Sequence, residues 1–582
     1  MTDARLLEEF PPVATADWEA AIARDLKGAD YEKELIWHTD EGIAVKPYYR
    51  AEDLKERSGL DSRPGEFPYR RGAKRSGEWK IREEIEAETA AEANREACAA
   101  VRAGAEEIAF TRLAVRSGAE LDTFLANLDV IPVHFEVADR ILIEAILDRA
   151  SQRKSATAGA ISISCDPLAD TDVAAQLLAR APCGFQPFTI DAARFEEDGA
   201  NSVEEVGFAL AAGFETLAEM DARGAGADRA AAGIQFRFAI GANFFFQIAK
   251  LRAFRLLWSR VVECFGGSAG AARAHIVART SRWNETVYDP HVNILRATTE
   301  AVSAAIGGAD SIVVAAFDEC YKAPDEASRR LARNTQLLLR HEAVLGRVAD
   351  PAGGAYYVEA LTDSIAREAW KLLQEIEAGG GFTVLRTNGW IAERLARSQA
   401  IREKAVAMRR RAFVGTSLFA NPAEHAIERI DFEHMNAGHR ATRAYEQLRL
   451  RSERYLMAGG RAPGILLAEI GDAKMSAARS SFAANFFACA GLKTSVRQFE
   501  CAGDIAGAGT DLIVLCSSDA EYERITAELM REMKTLNRNT PVIVAGNPAS
   551  AEALRSLGVA GFVHVRSNPI EVLTEWQERL GL

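Results

Sequence analysis

Apolar and polar positions along the chain change period several times, and each change marks an element. Between about residues 46 and 400, short apolar runs alternate with longer stretches of helical spacing. The clearest strand-like runs cover 160–164, 233–240, 274–278 and 311–316. Helical stretches between them include 243–264, 292–306 and 329–342. This alternation predicts parallel βα units. Over roughly 300 residues a closed (β/α)8 barrel is the economical solution, with an open doubly wound sheet as the alternative. In GIQFRFAIG (233–241), Ile234, Phe236, Phe238 and Ile240 share one face, and Gln235, Arg237 and Ala239 the other. The apolar face suits the surrounding helices, so Gln235 and Arg237 are expected to point inward and close the barrel axis.

The flanks read differently. Residues 1–45 form an arm with a short helix near 18–27, capped by Thr15 or Asp17 and ended by Gly28. Trp18, Leu26, Ile36 and Trp37 give the arm apolar anchors but no core, so it must pack on the rest of the chain or on a partner. Residues 401–460, rich in Arg and Glu, read as a helical connector. From 461 to 582, strand runs at 464–470, 494–499, 512–516, 542–545 and 562–565 each precede a helical stretch. Five such repeats are the flavodoxin-like pattern, in which ligands sit at the carboxyl ends of the strands.

Composition narrows the function classes. The 582 residues exceed one ordinary core, consistent with several domains. A formal charge of −13 argues against non-specific binding to nucleic acid or an anionic membrane. Eight scattered cysteines without a CxxC spacing argue against a disulfide framework or structural zinc. No apolar run reaches the ~18 residues of a membrane span, and the acidic start MTDARLLEEF lacks a signal-peptide layout. A cytoplasmic protein is expected. No GxxxxGK[ST] occurs, which excludes a P-loop GTPase chaperone.

Three long stretches carry a resemblance: GANFFFQIAKLRAFRLLW (241–258), RLARNTQLLLRHE (330–342) and RVADPAGGAYYVEALT (347–362). In this order they resemble the methylmalonyl-CoA mutase family, and the likeness extends from the arm to the flavodoxin-like tail. The resemblance implies a TIM-type barrel followed by a cobalamin-binding-type domain. It also implies adenosylcobalamin radical chemistry interconverting methylmalonyl-CoA and succinyl-CoA, with the protein supplying positioning and electrostatics.

Set against the family's motifs, the site positions are altered. Catalytic members carry DxHxxG after the first tail strand, where the His ligates cobalt. In ILLAEIGDAKMSAARSSF (465–482), Asp472 matches the Asp, but Met475 or Ser476 stands at the His position. No His lies between His439 and His564, and the later double-glycine loop is reduced to Ala545-Gly546-Asn547. The bulkier Lys474, Met475 and Arg479 are expected to fill the cofactor slot, while Ser517-Ser518 resembles the family's pair at the corrin edge. In the barrel, Ala193 and Arg194 replace the substrate-contacting Tyr-His, and Glu84 replaces the Tyr of W-x-I-R-x-Tyr, where it would repel a substrate carboxylate. Among coenzyme A contacts, Gly77 and Gly233 stand for Arg, Ser164 for Gln, and Val277 and Arg279 for the His and Gln of His-x-Gln-Thr-Ser-x-Trp. Thr280, Ser281 and Trp283 of that motif persist.

The profile resembles the non-catalytic small subunits of heterodimeric members. It implies a chain that binds no cofactor or metal and is inactive alone. Its partner would be a catalytic large subunit that carries adenosylcobalamin. Two other readings use the same residues: a divergent mutase with Arg194, Glu84 and Arg279 as new catalytic groups, or a stand-alone acyl-CoA sensor.

Overall fold

The computed structural model describes residues 13–582 apart from 56, 58, 113–117, 138, 153–159 and 437. The arm's helix Thr15–Asp25 has Ala14 at its N-cap with no side-chain cap, so neither Thr15 nor Asp17 plays that role. Beyond it, β1 (Trp37–His38) pairs antiparallel with β2 (Ala44–Val45). Ile43 and Val45 join the main core, so the arm's end is anchored in the body more firmly than its sequence suggests.

Eight parallel strands close the barrel: β3 (Lys80–Glu86), β4 (Glu107–Arg112), β5 (Val133–Phe135), β6 (Ile161–Cys165), β7 (Gln186–Asp191), β8 (Ile234–Ile240), β9 (His275–Thr280) and β10 (Ser311–Val313). The β8 alternation works out as its residues dictate. Ile234, Phe236, Phe238 and Ile240 pack into the strand–helix core. Gln235 instead donates to His134 of β5 at 2.9 Å and to Thr189, its neighbour on β7, at 2.8 Å. Burial lowers the His134 pKa well below the ordinary range, keeping the ring neutral.

The long helices are fastened through charges that the first and third motifs supply. Arg252 of the helix Phe244–Cys264 donates to Glu359 at 2.6 Å and also pairs with Asp350, joining the first motif to the third. Arg70 meets the same Glu359 at 2.8 Å. Lys250 is bonded to Glu205 at 2.6 Å beneath β8. The basic helix is therefore part of the scaffold. Gly213 is needed for close packing, since a Cβ there would lie 2.6 Å from the Trp258 ring.

After the helix Trp390–Ala407, which crosses residue 400, the connector docks on Trp283. The Arg402 guanidinium lies 3.9 Å from the Trp283 ring and Arg411 4.9 Å, while Phe413 meets the ring edge-on. The tail sheet consists of β11 (Ile465–Ile470), β12 (Thr494–Phe499), β13 (Leu512–Cys516), β14 (Val542–Ala545) and β15 (Gly561–Val563). Its strand order, β12-β11-β13-β14-β15, is flavodoxin-like. No helix among the described residues is long and apolar enough to cross a membrane.

Candidate functional site

The carboxyl ends of the barrel strands are where (β/α)8 chemistry is built, and here they carry opposed charges. On β9, Val277 and Arg279 face the axis, because Ile276 and Ala278 belong to the outer core. Arg279 reaches across to β3, donating to Glu84 at 3.0 Å, and also donates to Glu319 beyond β10. Arg282 donates to the same Glu319 at 2.6 Å. From β8, Arg237 holds Asp191 of β7 in a two-pronged contact of 3.0 and 2.8 Å, pairs with Glu136, and lies 3.9 Å from Glu84.

Two residues read separately from the sequence, Glu84 and Arg279, are thus bonded to each other. The expectation that Glu84 would repel an incoming carboxylate changes accordingly, since its charge is answered by Arg279 and Arg237. Burial by itself would raise the Glu84 carboxyl, but the two guanidiniums outweigh burial and hold it below the ordinary range. Glu319, partly buried, is brought down to about 2 by Arg279 and Arg282. Sequence reasoning missed Glu319, Glu136 and Asp191; two arginines aimed at one axis were the available signal that carboxylates had to be near.

Ala193 and Arg194 open the short helix after β7. Ala193 is buried, whereas the Arg194 side chain is 74% exposed and meets Asp191 at 3.2 Å. Arg194 borders a cavity of about 620 Å³ at the mouth, floored by Leu168, Ile190, Phe195 and Phe382. The mouth's other charges are paired too, Asp166 with Arg386 at 2.9 Å. At the coenzyme positions, a Cβ on Gly77 would sit 2.4 Å from the Val348 carbonyl oxygen, so this backbone has no room for an Arg there. Ser164 is engaged by His134 at 2.9 Å.

In the tail, Asp472 is an N-cap: its carboxylate accepts from the Met475 amide at 2.7 Å. Lys474, Met475, Ser476 and Arg479 therefore lie on the helix Ala473–Ala488 rather than in a loop. Met475 is partly exposed and Ser476 buried. Glu521 crosses the strand ends, accepting from Ser517 at 3.1 Å, Ser518 at 2.6 Å and the Asp472 amide at 3.0 Å. A Cβ on Gly471 would meet this carboxylate at 2.5 Å. Arg479 pairs with Asp519 at 3.0 Å and stands 3.3 Å from where a Cβ of Gly546 would project. His564 follows β15, where its ring nitrogen accepts from the Arg566 amide at 3.1 Å. No group of three or more His, Cys, Asp or Glu suited to a metal occurs among the described residues.

Comparison with known proteins identifies the scaffold. The family model described as methylmalonyl-CoA mutase matches residues 38–131 and 163–458, stopping before β11. A protein named methylmalonyl-CoA mutase small subunit from Porphyromonas gingivalis is 35% identical, with 99% of both chains covered. Another of that name from Streptomyces virginiae is 32% identical over 99% of this chain and 98% of its own. A Rhizobium meliloti protein named methylmalonyl-CoA mutase is 32% identical, but over 75% of this chain and 68% of its own. With two thirds of its residues under the family model and end-to-end likeness to proteins called small subunits, the chain belongs to the methylmalonyl-CoA mutase family.

Proposed function

We propose that this chain is the non-catalytic small subunit of a heterodimeric methylmalonyl-CoA mutase, supporting a large subunit that performs the isomerisation. The observation that carries this reading is the set of ion pairs across the barrel axis. Glu84 and Arg279 occupy positions at which the resemblance expects groups facing substrate and coenzyme, and each spends its charge on the other. A site that has satisfied itself has little left to offer a thioester or its carboxylate.

The tail supports the same reading for cobalamin. The residues at its strand ends do not fit the cofactor: the Asp472 carboxylate caps a helix, Glu521 ties the loops together, and no imidazole stands where a cobalt ligand is needed. Adenosylcobalamin would then belong to the large subunit. The arm supports a partner. The helix Thr15–Asp25 has no buried residue, and an isolated helix of that length is marginal in water. Trp18 and Trp37 remain 46% and 49% exposed, which suits rings that a second chain covers.

The test is co-expression with the cognate large chain, followed by sizing and assay of each component. The expected result is a one-to-one complex burying more than ~2,000 Å², with mutase activity in the complex and none in this chain alone. Turnover by this chain alone, or two separate peaks at micromolar concentration, would overturn the proposal.

A further inference from the structure

The arm and the body meet along a run of aromatic rings. Phe245 lies in the first turn of the helix Phe244–Cys264, and Tyr356 and Tyr357 open the helix Tyr356–Ala378 beside it. The Phe245 ring lies 5.3 Å from Tyr357, which lies 5.2 Å from Tyr49. At the same helix start, Phe246 holds Trp37 of the arm at 5.7 Å, and further back along the arm Trp18 lies 5.2 Å from Tyr48. Much of this run faces water. Phe245 is 45% exposed and Tyr356 43%, close to the values for Trp18 and Trp37. Aromatic side chains carry about 150–250 Å² each, so these four leave roughly 350 Å² uncovered. A single exposed apolar side chain is ordinary, but a joined patch of that size marks a contact surface. It approaches half of the ~800 Å² that one partner gives to a standard interface, and aromatic rings are the usual anchors of such interfaces.

The charges around the rings narrow the partner. Between residues 15 and 41, Asp and Glu outnumber Lys and Arg eight to three. Burial and the neighbouring Tyr49, followed by Glu41, raise the Tyr357 phenol to about 12, which places the Glu41 charge within reach of the rings. Asp17, Glu19 and Glu41 form no ion pair with any described residue. Two cations beside the rings are engaged, Lys46 with Asp53 at 2.8 Å and Arg50 with the Val13 carbonyl at 2.6 Å. A second copy of this chain would set the acidic rim against itself across a two-fold axis. Resting on the small-subunit reading, we propose that this aromatic run is the face on which the large subunit docks, and that the large subunit meets it with an apolar groove bordered by Lys and Arg.

The test uses the full-length chain and its cognate large chain, with affinity and association rate followed by surface plasmon resonance. Phe245→Ala combined with Tyr356→Ala should weaken the complex at least 100-fold. Glu19→Lys combined with Glu41→Lys should slow association about tenfold at low salt. The wild-type association rate should itself fall as salt is raised, a measurement that serves even where a variant fails to fold. Leu331→Ala with Leu338→Ala, two exposed leucines on the helix Glu326–His341, should leave affinity unchanged, and a comparable loss there would count against the proposal. If the wild-type chains associate but the aromatic variant binds as tightly, or association is indifferent to salt, the docking face is refuted while the subunit reading stands. If the wild-type chains do not associate, both fall together. Self-association of this chain that Phe245→Ala abolishes would assign the face to a second copy and overturn the proposal.

Discussion

Replacing Arg237 with methionine tests whether the charges across the axis hold the barrel together or merely fill it. The side chain is 18% exposed and faces Asp191, Glu136 and Glu84. At an effective dielectric of about 20, one pair at 2.8 Å is worth about 6 kcal/mol. Most of that is offset by the cost of desolvating both groups. Removing the cation alone leaves that cost and deletes the attraction, so Arg237→Met should destabilise the barrel by about 3–5 kcal/mol. Combining it with Asp191→Asn and Glu136→Gln removes the stranded charges and should recover at least half of the loss. The assay is urea unfolding monitored by the barrel tryptophans Trp79, Trp258 and Trp283, with the tail's transition fitted separately because a multidomain chain need not unfold in one step. A single-variant loss below about 1 kcal/mol, or a triple variant no better than the single, would refute the reasoning.

Other expectations follow from the same geometry. Burial raises the Glu300 carboxyl to about 8 despite the Asn284 hydrogen bond. A folded pKa above the unfolded one adds stability that is complete below about pH 4.5 and is lost as pH rises through about 8. Glu300→Gln should flatten this decline between about pH 4.5 and 8, and an unchanged pH–stability profile would count against it. Trp283→Ala removes the ring between Arg402 and Arg411 and should cost about 3–5 kcal/mol; limited proteolysis should then cut the connector sooner, whereas equal cleavage rates would contradict its docking role. Met475→His places an imidazole on a helix whose entrance Asp472 and Glu521 already occupy. After mixing with adenosylcobalamin and desalting, that variant should be as colourless as wild type, and retained corrin absorbance would show that the missing ligand was the sole obstacle.

Legibility in the sequence followed the apolar pattern. Strands β8, β11, β13 and β14 were readable because their positions are apolar or alternating and mostly buried, whereas the edge strand β12, TSVRQF, is mostly exposed and was legible from its β-branched residues and its place in the repeat. Strand β3, KIREEIE, was not, because Arg82 and Glu84 point to the axis and give it the composition of an exposed segment. Site positions were readable one at a time, from motifs, but their pairing was not: Glu84 and Arg279 lie 195 residues apart in sequence. The helix cap failed for a local reason. Thr15 lies inside the helix with its hydroxyl directed at Glu52, leaving Ala14 to open it.

The reciprocal pairing of Glu84 with Arg279 makes the two positions interdependent. A tyrosine at position 84 would strip Arg279 of one of its two carboxylates. A glutamine at position 279 would leave Glu84 and Glu319 facing one another with less positive charge between them. Either change alone leaves a buried charge with fewer partners and lowers stability. The crossed charges work as an interlock: neither Glu84 nor Arg279 can change alone without leaving an unanswered charge at the barrel's interior.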